Sequence, residues 1–560
     1  MASQGFSLSG VFDTVATAIP DQTLIVWRGA RHTYREVNDR ATAIAGYLGG
    51  LGLGLRADRQ ALAGHQCAQD TLGIYLRNGN HYVEAMLGSY RARVAPFNVN
   101  YRYTDDELFY VLNDADTAAL VYAAEFAPEV AELRERLPGL RALIQVDDGS
   151  RTALLPGAVD FDEIASTPPA LPLPQPSGDD LYVIYTGGTT GMPKGVLWRQ
   201  HDIYVAAMGG TPFGSSEAFT SYEQIAAAAS NAPGALSVMI IPPLMHGAAQ
   251  WGVFNTMTNG GYVVFPDTVN RMDPAEVLRL VERERVVALP VIGDAVARPL
   301  VEEIERTSYD LTSLVVVNNG SAVLSPAIKA RLLDAIPHVM IGDTFGSSET
   351  GVQASQSIGK NSPTDTQSFQ PTDTVCLLDD DMTRRLDLHE TTEGWIAQYG
   401  RVPLGYLGDE VKTKKTFPTI NGVRYAIPGD RGHYDNDGRI VLLGREATTI
   451  NSGGEKVFAE EVERAMAAHP DIADVIVVGR PDDRWGTAVV ALVRLRDNSH
   501  ASDDELIAVA SQRLARYKLP KVIVRCDLLV RSPSGKPDYR WARQRALSAS
   551  AQADQSGARL

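Results

Sequence analysis

The sequence predicts an α/β fold, because helix-start signals alternate with short apolar runs along most of the chain. Thr33 and Glu36 form a capping box ahead of an amphipathic run. Asp273 and Ser325, each followed by proline, open two further amphipathic runs that lead into the strand-like sequences VVALPVI and HVMIG. This alternation favours sheets covered by helices, with ligands bound at the carboxyl ends of the strands.

Length and composition set the scale of the molecule. The chain has 560 residues, of which 44% are hydrophobic and 21% are charged. These values predict three or four domain-sized units with buried cores and exclude global disorder. Residues 167–180 contain five prolines and are expected to form an extended connector, whereas the small polar residues 546–560 are expected to be a disordered tail.

A second, smaller unit is predicted after Arg445. Its pattern is a helix over residues 459–468, strands over 475–479 and 489–495, and a helix capped by Ser502. These roughly one hundred residues mix helices with strands and are long enough to fold alone. We therefore expect a small α+β domain behind a much larger one.

The charge and the cysteines restrict partners and compartment. The formal net charge of −16 opposes binding to nucleic acid or to an anionic membrane surface, so anionic substrates would need local positive groups. Cys67, Cys376 and Cys526 are far apart and show no metal-ligand spacing, which predicts core thiols in a reducing compartment. The first basic residue is Arg28 and no run of eighteen apolar residues occurs, so we expect a cytoplasmic protein without a transmembrane segment.

A glycine-rich segment follows the strand-like residues 181–185 and reads TGGTTGMPKG over residues 186–195. Glycines let backbone amides turn inward, and threonine hydroxyls and Lys194 add donors and positive charge, so the segment predicts a cradle for nucleotide phosphates. It is not a Walker loop, because neither Ser nor Thr follows Lys194 directly. The alternative is a glycine-rich turn without a ligand.

A second polar segment, DTFGSSET over residues 343–350, follows an apolar strand. The ring of Phe345 can stack on adenine, and the serine hydroxyls can bond phosphate or carboxylate oxygens. Glu349 is an oxygen ligand of the kind that Mg²⁺ requires when it bridges ATP phosphates. The alternative for Glu349 is a helix cap.

Together these segments resemble signatures of the adenylate-forming superfamily of acyl-CoA synthetases, adenylation domains and luciferases. Phe345 and Ser348 stand where the superfamily usually has tyrosine and threonine, and Ala447 replaces the usual Asp or Lys of the hinge. The resemblance implies a large N-terminal domain of helix-covered β-sheets, residues 1–444, and a small mobile C-terminal domain, residues 445–545. It also implies ATP, Mg²⁺ and coenzyme A as cofactors.

Site residues are carried over from the superfamily position by position. Asp430 and Arg445 resemble the pair that binds the ribose hydroxyls, and a surface turn is the alternative for Asp430. Lys536 resembles the lysine that bridges the substrate carboxylate and the attacked phosphate, and a flexible charged tail is its alternative. The residues implied to bind cofactors are Thr186, Gly187, Gly188, Thr189, Thr190, Gly191, Lys194, Gly320, Ser321, Ala322, Asp343, Thr344, Phe345, Gly346, Ser347, Ser348, Asp430, Arg445, Gly453, Gly454, Lys456 and Lys536.

Catalysis is expected from positioning and charge neutralisation, without a protein nucleophile. The implied catalytic residues are Lys536, Lys194, Glu349 and Thr190, with Glu349 and Thr190 on the metal. The implied acyl pocket is lined by His246, Gly247, Trp251, Gly320 and Gly346. His246 is interpreted as a pocket residue and not as a proton-transfer group, and a satisfied structural histidine is its alternative.

The functional expectation is an ATP-dependent acyl-CoA ligase that forms an acyl adenylate and then the CoA thioester. Small residues around His246 favour a bulky apolar acid, a long-chain fatty acid or a steroid side-chain acid, and the absence of a carboxylate in GAAQWG opposes an amino acid. Two alternatives stay open: an acyl-AMP ligase that transfers to a carrier protein, and a nucleotide-binding regulatory protein without turnover. A homodimer is also left open.

Overall fold

The computed structural model describes residues 5–186, 192–212, 215, 217–364, 368–452, 455–482, 485–532 and 535–557. Helices and strands alternate over these residues, as the sequence predicts. The strands are β1 (Thr23–Trp27), β2 (Ala30–Thr33), β3 (Thr71–Tyr75), β4 (Ala95–Asn98), β5 (Thr117–Ala123), β6 (Ala142–Val146), β7 (Val159–Asp160), β8 (Leu181–Thr186), β9 (Lys194–Arg199), β10 (Ser237–Met239), β11 (Tyr262–Val264), β12 (Ala288–Val291), β13 (Val316–Asn319), β14 (Met340–Ser347), β15 (Gly351–Ile358), β16 (Ser368–Pro371), β17 (Val375–Leu378), β18 (Gly394–Tyr399), β19 (Gly405–Tyr406), β20 (Thr419–Ile420), β21 (Val423–Ala426), β22 (Asp430–Tyr434), β23 (Ile440–Arg445), β24 (Thr449–Ser452), β25 (Glu455–Phe458), β26 (Ile472–Asp482), β27 (Gly486–Leu495) and β28 (Val522–Arg525).

Helices cover the sheets, and several begin at the predicted caps. Thr33 and Ser502 each form a capping box, and the side chains of Asp273 and Ser325 accept from the third residue of their helices. The helices are α1 (Leu8–Ala18), α2 (Tyr34–Gly50), α3 (Asn80–Arg91), α4 (Asp105–Asp114), α5 (Ala127–Arg134), α6 (Phe161–Ala165), α7 (Gln200–Ala207), α8 (Tyr222–Asn231), α9 (Gly247–Thr258), α10 (Pro274–Arg283), α11 (Gly293–Arg306), α12 (Pro326–Ala335), α13 (Glu410–Thr416), α14 (Ala459–Ala467), α15 (Asp503–Ser511) and α16 (Tyr539–Gly557).

Two sheets organise the large N-terminal part. Strands β4-β3-β5-β6-β7 form a parallel sheet, and β1, β11, β10, β12, β13 and β14 are the parallel half of a larger sheet that continues with antiparallel pairs from β15 to β20. One face of the larger sheet packs against α9 and shares a core with α1, α2 and α3. The other face packs against α10, α11 and α12. The predicted α/β class is therefore confirmed.

The C-terminal part is a smaller α+β unit around the sheet β26-β27-β28. Helices α14 and α15 cover one face of this sheet, and α16 covers the other. No core cluster of the described residues joins side chains from both sides of residues 443–449. The division at residues 444 and 445 agrees with this separation of cores and stays a prediction.

Composition predicts irregular structure for a connector, residues 167–180, and for the C-terminal residues 546–560. The proline-rich residues 167–180 contain no helix or strand, as expected. Helix α16 runs from Tyr539 to Gly557, and its residues Ala542 and Ala546 are fully buried against the sheet. The expectation of a disordered tail over residues 546–560 stays a prediction.

The structure describes the state of the three cysteines and the length and apolarity of the helices. Cys67, Cys376 and Cys526 are free thiols, of which Cys376 is buried and the other two are half-buried. Among the described helices, none is both long enough and apolar enough to cross a bilayer.

Packing between α2 and α3 gives a test of the N-terminal core. A Cβ added at Gly88 would lie 2.7 Å from Ile44 and 3.0 Å from the backbone oxygen of Ala41, whereas one added at Gly49 would meet nothing within 4 Å. We predict that Gly88→Ala lowers the free energy of unfolding by about 1–3 kcal/mol, because it forces the helices apart. The matched change Gly49→Ala should leave stability unchanged or raise it by up to about 1 kcal/mol. Urea unfolding followed by fluorescence measures both, and equal effects would contradict the packing described.

Candidate active site

A cavity of about 1390 Å³ lies at the carboxyl ends of the parallel strands, between the large and the small unit. The predicted site residues that line it are Thr186, His246, Gly247, Trp251, Gly320, Ser321, Ala322, Asp343, Thr344, Phe345, Gly346, Ser347, Ser348, Asp430, Arg445 and Lys536. Lys194, Glu349 and Lys456 do not line it. Gly187, Gly188, Thr189, Thr190, Gly191, Gly453 and Gly454 lie outside the described residues.

The predicted phosphate loop is bracketed by the hairpin β8–β9, in which Thr186 pairs with Lys194. The ammonium group of Lys194 forms an ion pair with Asp409, and this hydrogen bond is the largest cause of the lowered pKa of Asp409. The Lys194 nitrogen also lies 5.8 Å from the ring centroid of Tyr406, whose hydroxyl donates to Oε1 of Glu349 at 2.9 Å. Tyr406 therefore connects the loop lysine with the predicted metal ligand.

Asp343 lies in the cavity wall with both carboxylate oxygens occupied. Oδ1 accepts from Asn319 at 2.8 Å, and Oδ2 accepts from Lys329 at 2.8 Å and from Gln356 at 3.2 Å. Lys329 is buried, with 4% of its surface exposed. Asp343 thus joins β13, β14, β15 and α12 behind the cavity, which is a structural role that the sequence did not indicate.

The neighbouring wall presents backbone edges, hydroxyls and a ring. Thr344 donates to the backbone oxygen of Asn319 at 2.9 Å, which fixes β14 against the loop that follows β13. In that loop Ser321 has a φ of 66°, a left-handed conformation that ordinary residues rarely adopt. Phe345 is partly buried beside Phe369, with the ring centroids 6.4 Å apart. Such a flat face and open backbone fit a planar base.

Asp430 and Arg445 meet because β22 and β23 pair as an antiparallel hairpin in which these two residues are direct partners. Nε of Arg445 donates to Oδ1 of Asp430 at 3.0 Å. Oδ2 of Asp430 is buried and has no hydrogen-bond partner within the described part of the chain. A buried carboxylate oxygen of this kind is costly unless a donor reaches it, and a ribose hydroxyl is a suitable donor.

Lys536 lies at the end of the small unit, on a loop that enters the cavity. The guanidinium of Arg531 binds Asp474, with Nη2–Oδ1 at 2.7 Å, and donates to the backbone oxygen of Gly535 at 3.0 Å. Gly535 has a φ of 72°, and a Cβ there would lie 3.0 Å from Ile292 of the large unit, so a larger residue would disturb this docking.

The environment of Lys536 combines groups from both units. Partial desolvation in the cavity and then the charge of Arg445 lower the pKa of Lys536, and the carboxylates of Glu349 and Asp430 oppose that shift. Lys536, although its side chain remains accessible, therefore lies near Asp430 and Arg445, the predicted ribose pair, and near Glu349, the predicted metal ligand. Its own loop supplies no carboxylate partner among the hydrogen bonds described.

His246 stands at the start of α9. Burial, followed by the positive charges of Lys536 and Arg102, lowers the pKa of His246 to about 4, so the imidazole is neutral near pH 7. Its Nε2 is buried without a partner among the described residues. This environment supports a pocket-lining role.

Lys456 lies outside the cavity. Its ammonium group is 3.1 Å from Oε1 of Glu446. Ala447, the unusual hinge residue, lies in the 3₁₀ turn Glu446–Thr448 between the two units. Thr448 ends that turn and donates to Glu460 of α14 at 2.8 Å, which connects the turn to the small unit.

Family models match this arrangement along most of the chain. Residues 12–407 match the AMP-binding enzyme family, and residues 461–536 match the AMP-binding enzyme C-terminal domain. The chain belongs to the AMP-binding enzyme family. The resemblance to the adenylate-forming superfamily is therefore confirmed.

Curated relatives and solved structures agree with this assignment. The chain is 51% identical over 544 residues to the medium-chain acyl-CoA ligase Mig of Mycobacterium avium, covering 97% of this chain and 98% of that one. It is 37% identical over 537 residues to the 3-oxocholest-4-en-26-oate–CoA ligase of Rhodococcus rhodochrous, covering 94% and 93%. The anthranilate CoA ligase AuaEII, solved with anthranoyl-AMP, superposes with a TM-score of 0.79 over 98% of both chains at 20% identity, which shows a shared fold.

The Lys329–Asp343 pair gives a test of the cavity wall. We predict that Lys329→Met lowers the free energy of unfolding by about 3 kcal/mol, because it leaves a buried carboxylate without its cation. Arg331, on the same helix, pairs with the half-exposed Glu305. The control Arg331→Met should therefore cost less than about 1 kcal/mol. Denaturant unfolding of both variants measures the difference, and a neutral Lys329→Met would contradict the structural role of the pair.

Proposed function

We propose that this protein is an ATP-dependent acyl-CoA ligase that activates a hydrophobic carboxylic acid. The observation that carries the proposal is that Asp430, Arg445 and Lys536 meet at one cavity. Part of the same cavity, here called the acyl branch, has an apolar lining that includes Val238, Trp251 and Val316. Membership of the AMP-binding enzyme family supports the same chemistry. The printed names of the relatives, for medium-chain and steroid acids, support an apolar acid.

The first step joins the acid to the nucleotide. A carboxylate oxygen attacks the α-phosphorus of ATP, and the bond from that phosphorus to the pyrophosphate oxygen breaks as the new O–P bond forms. Lys536 lies between the two anions and reduces their repulsion most as charge moves in the transition state. Oδ2 of Asp430 and the guanidinium of Arg445 hold the ribose, and Phe345 stacks on the base.

The second step transfers the acyl group to coenzyme A. The sulfur attacks the acyl carbon, the C–O bond to AMP breaks, and the thiol proton passes to solvent. We propose that the small unit rotates between the steps, withdrawing Lys536 and bringing in the turn of Gly453 and Gly454 with Lys456. The position of Lys456 outside the cavity in the present arrangement is compatible with such an exchange.

Magnesium is proposed to be held by Glu349 and Thr190 together with the phosphates. A carboxylate oxygen suits this hard cation, which is commonly bound through one or two protein carboxylates plus substrate phosphates. When bound, the ion would neutralise phosphate charge.

Lys536 is tested by removing its charge. We predict that Lys536→Ala lowers acid-dependent pyrophosphate release by about 100–1000-fold, because one preorganised charge is lost from the transition state. ATP affinity should change little, since the lysine comes from the small unit. Lys521→Ala, in the same unit and beside Trp485, is the control and should retain activity. Unchanged pyrophosphate release in Lys536→Ala would remove this lysine from the mechanism.

The ribose pair is tested by an isosteric change. We predict that Asp430→Asn raises the dissociation constant of ATP about tenfold or more, because a charged acceptor is lost. Asp380→Asn is the matched control, since exposed Asp380 pairs with Arg431, the next residue on β22. Calorimetric titration with ATP measures both, and wild-type affinity in Asp430→Asn would contradict ribose binding there.

The molecule that accepts the acyl group distinguishes the CoA ligase from the acyl-AMP ligase that transfers to a carrier protein. Thioester formation with CoA, compared with a carrier protein, separates the ligase from an acyl-AMP transferase. A panel of fatty and steroidal acids that yields no pyrophosphate release at all would instead support nucleotide binding without turnover.

A further inference from the structure

The acyl branch of the cavity has one wall made by helix α9. Gly247, Trp251 and Asn255, spaced four residues apart, line the cavity and form one stripe along this helix. Eight residues separate the first from the last. At 1.5 Å per residue the stripe is about 12 Å long.

The opposite wall is one face of the sheet. Val316, Asn318 and Gly320, at alternate positions on and just after β13, line the cavity, as do Ala288 and Pro290 of β12. The intervening Leu289 and Val317 belong to the core on the other face, under α10–α12. Four residues of strand span about 13 Å, so both walls give the same depth.

The outer end of this branch lies beside the catalytic lysine. The positive charge of Lys536 acts on His246, which directly precedes Gly247. Gly320 follows β13 at its carboxyl end. The substrate carboxylate therefore belongs at this end. An extended alkyl chain advances by about 1.25 Å per bond, so roughly ten bonds reach from the carboxyl carbon to Asn255.

The inner end of the branch lies where α9 contacts the chain that follows α7, and it carries an amide. A Cβ added at Gly209 would lie 3.1 Å from Cα of Asn255, so α9 and the end of α7 are in close contact there. The neighbouring hydroxyl of Thr256 already donates to the backbone oxygen of Gly252 at 2.7 Å. The side-chain amide of half-buried Asn255 lines the cavity and forms none of the hydrogen bonds described for this part of the chain. It offers two donors and one acceptor to the end of the branch.

We infer that Asn255 binds an oxygen substituent at the far end of the acyl group, about 12 Å from the carboxylate. This inference rests on the proposed function and specifies its substrate class: acids of about ten carbons, or ring systems of similar length, that end in a hydroxyl or a keto group. A plain alkyl end leaves the amide desolvated and unpaired, which disfavours such an acid about tenfold or more.

The test compares decanoic acid with 10-hydroxydecanoic acid in acid-dependent pyrophosphate release and CoA thioester formation. Wild-type enzyme should show a kcat/KM about tenfold or more higher for the hydroxy acid. For the shorter pair, 6-hydroxyhexanoic acid should gain nothing over hexanoic acid, because its hydroxyl stops short of Asn255. This comparison needs no variant and so does not depend on a mutant's folding.

Two variants assign the preference to the amide. Asn255→Leu keeps the volume and should remove the preference for 10-hydroxydecanoic acid while retaining or raising activity on decanoic acid. Asn259→Leu, one turn further along the chain and outside the cavity lining, should keep the wild-type preference. Equal activation of both ten-carbon acids by wild type, or an unchanged preference in Asn255→Leu, would overturn the inference. Activation of neither acid, nor of any other acid, would instead count against the proposed function.

Discussion

Electrostatic repulsion between anions is the constraint on which the rest of this structure depends. The protein carries a formal net charge of −16, and the proposed reaction joins a carboxylate to a triphosphate. Positive charge must therefore be concentrated locally, where low dielectric and fixed geometry make it effective. Arg445, the last residue of β23 in the large sheet, and Lys536, on a loop of the small unit, supply this charge at the cavity, and Lys194 lies on the hairpin that brackets the predicted phosphate loop.

The fold serves this constraint by separating charge from apolar volume. Parallel strands β12, β13 and β14 end at the polar site, while one face of the same sheet, with α9, encloses the acyl branch. The carboxylate of an acid can then meet the cations while its apolar body stays out of water. The small unit brings Lys536 to the cavity on a loop held by Arg531 and Asp474.

Local sequence signals predicted much of this arrangement. Caps such as Thr33 with Glu36 start helices, and the fifteen-residue spacing of Asp430 and Arg445 becomes a direct pair because β22 and β23 form a hairpin. Residues that act through tertiary packing were missed. Lys329 lies on an amphipathic helix, where a lysine is ordinarily solvated, and only the fold brings it to Asp343. Likewise, the depth of the acyl branch depends on which face of the strands packs against α9, and no sequence motif predicts that face.

The central claim is that the acid itself attacks the α-phosphate of ATP. Its most direct test is a reaction with an acid labelled with ¹⁸O in both carboxylate oxygens, followed by mass spectrometry of the products. The account predicts one labelled oxygen in AMP and none in pyrophosphate, because the C–O bond breaks when the thiol takes the acyl group. Label in pyrophosphate or inorganic phosphate, or unlabelled AMP, would contradict it.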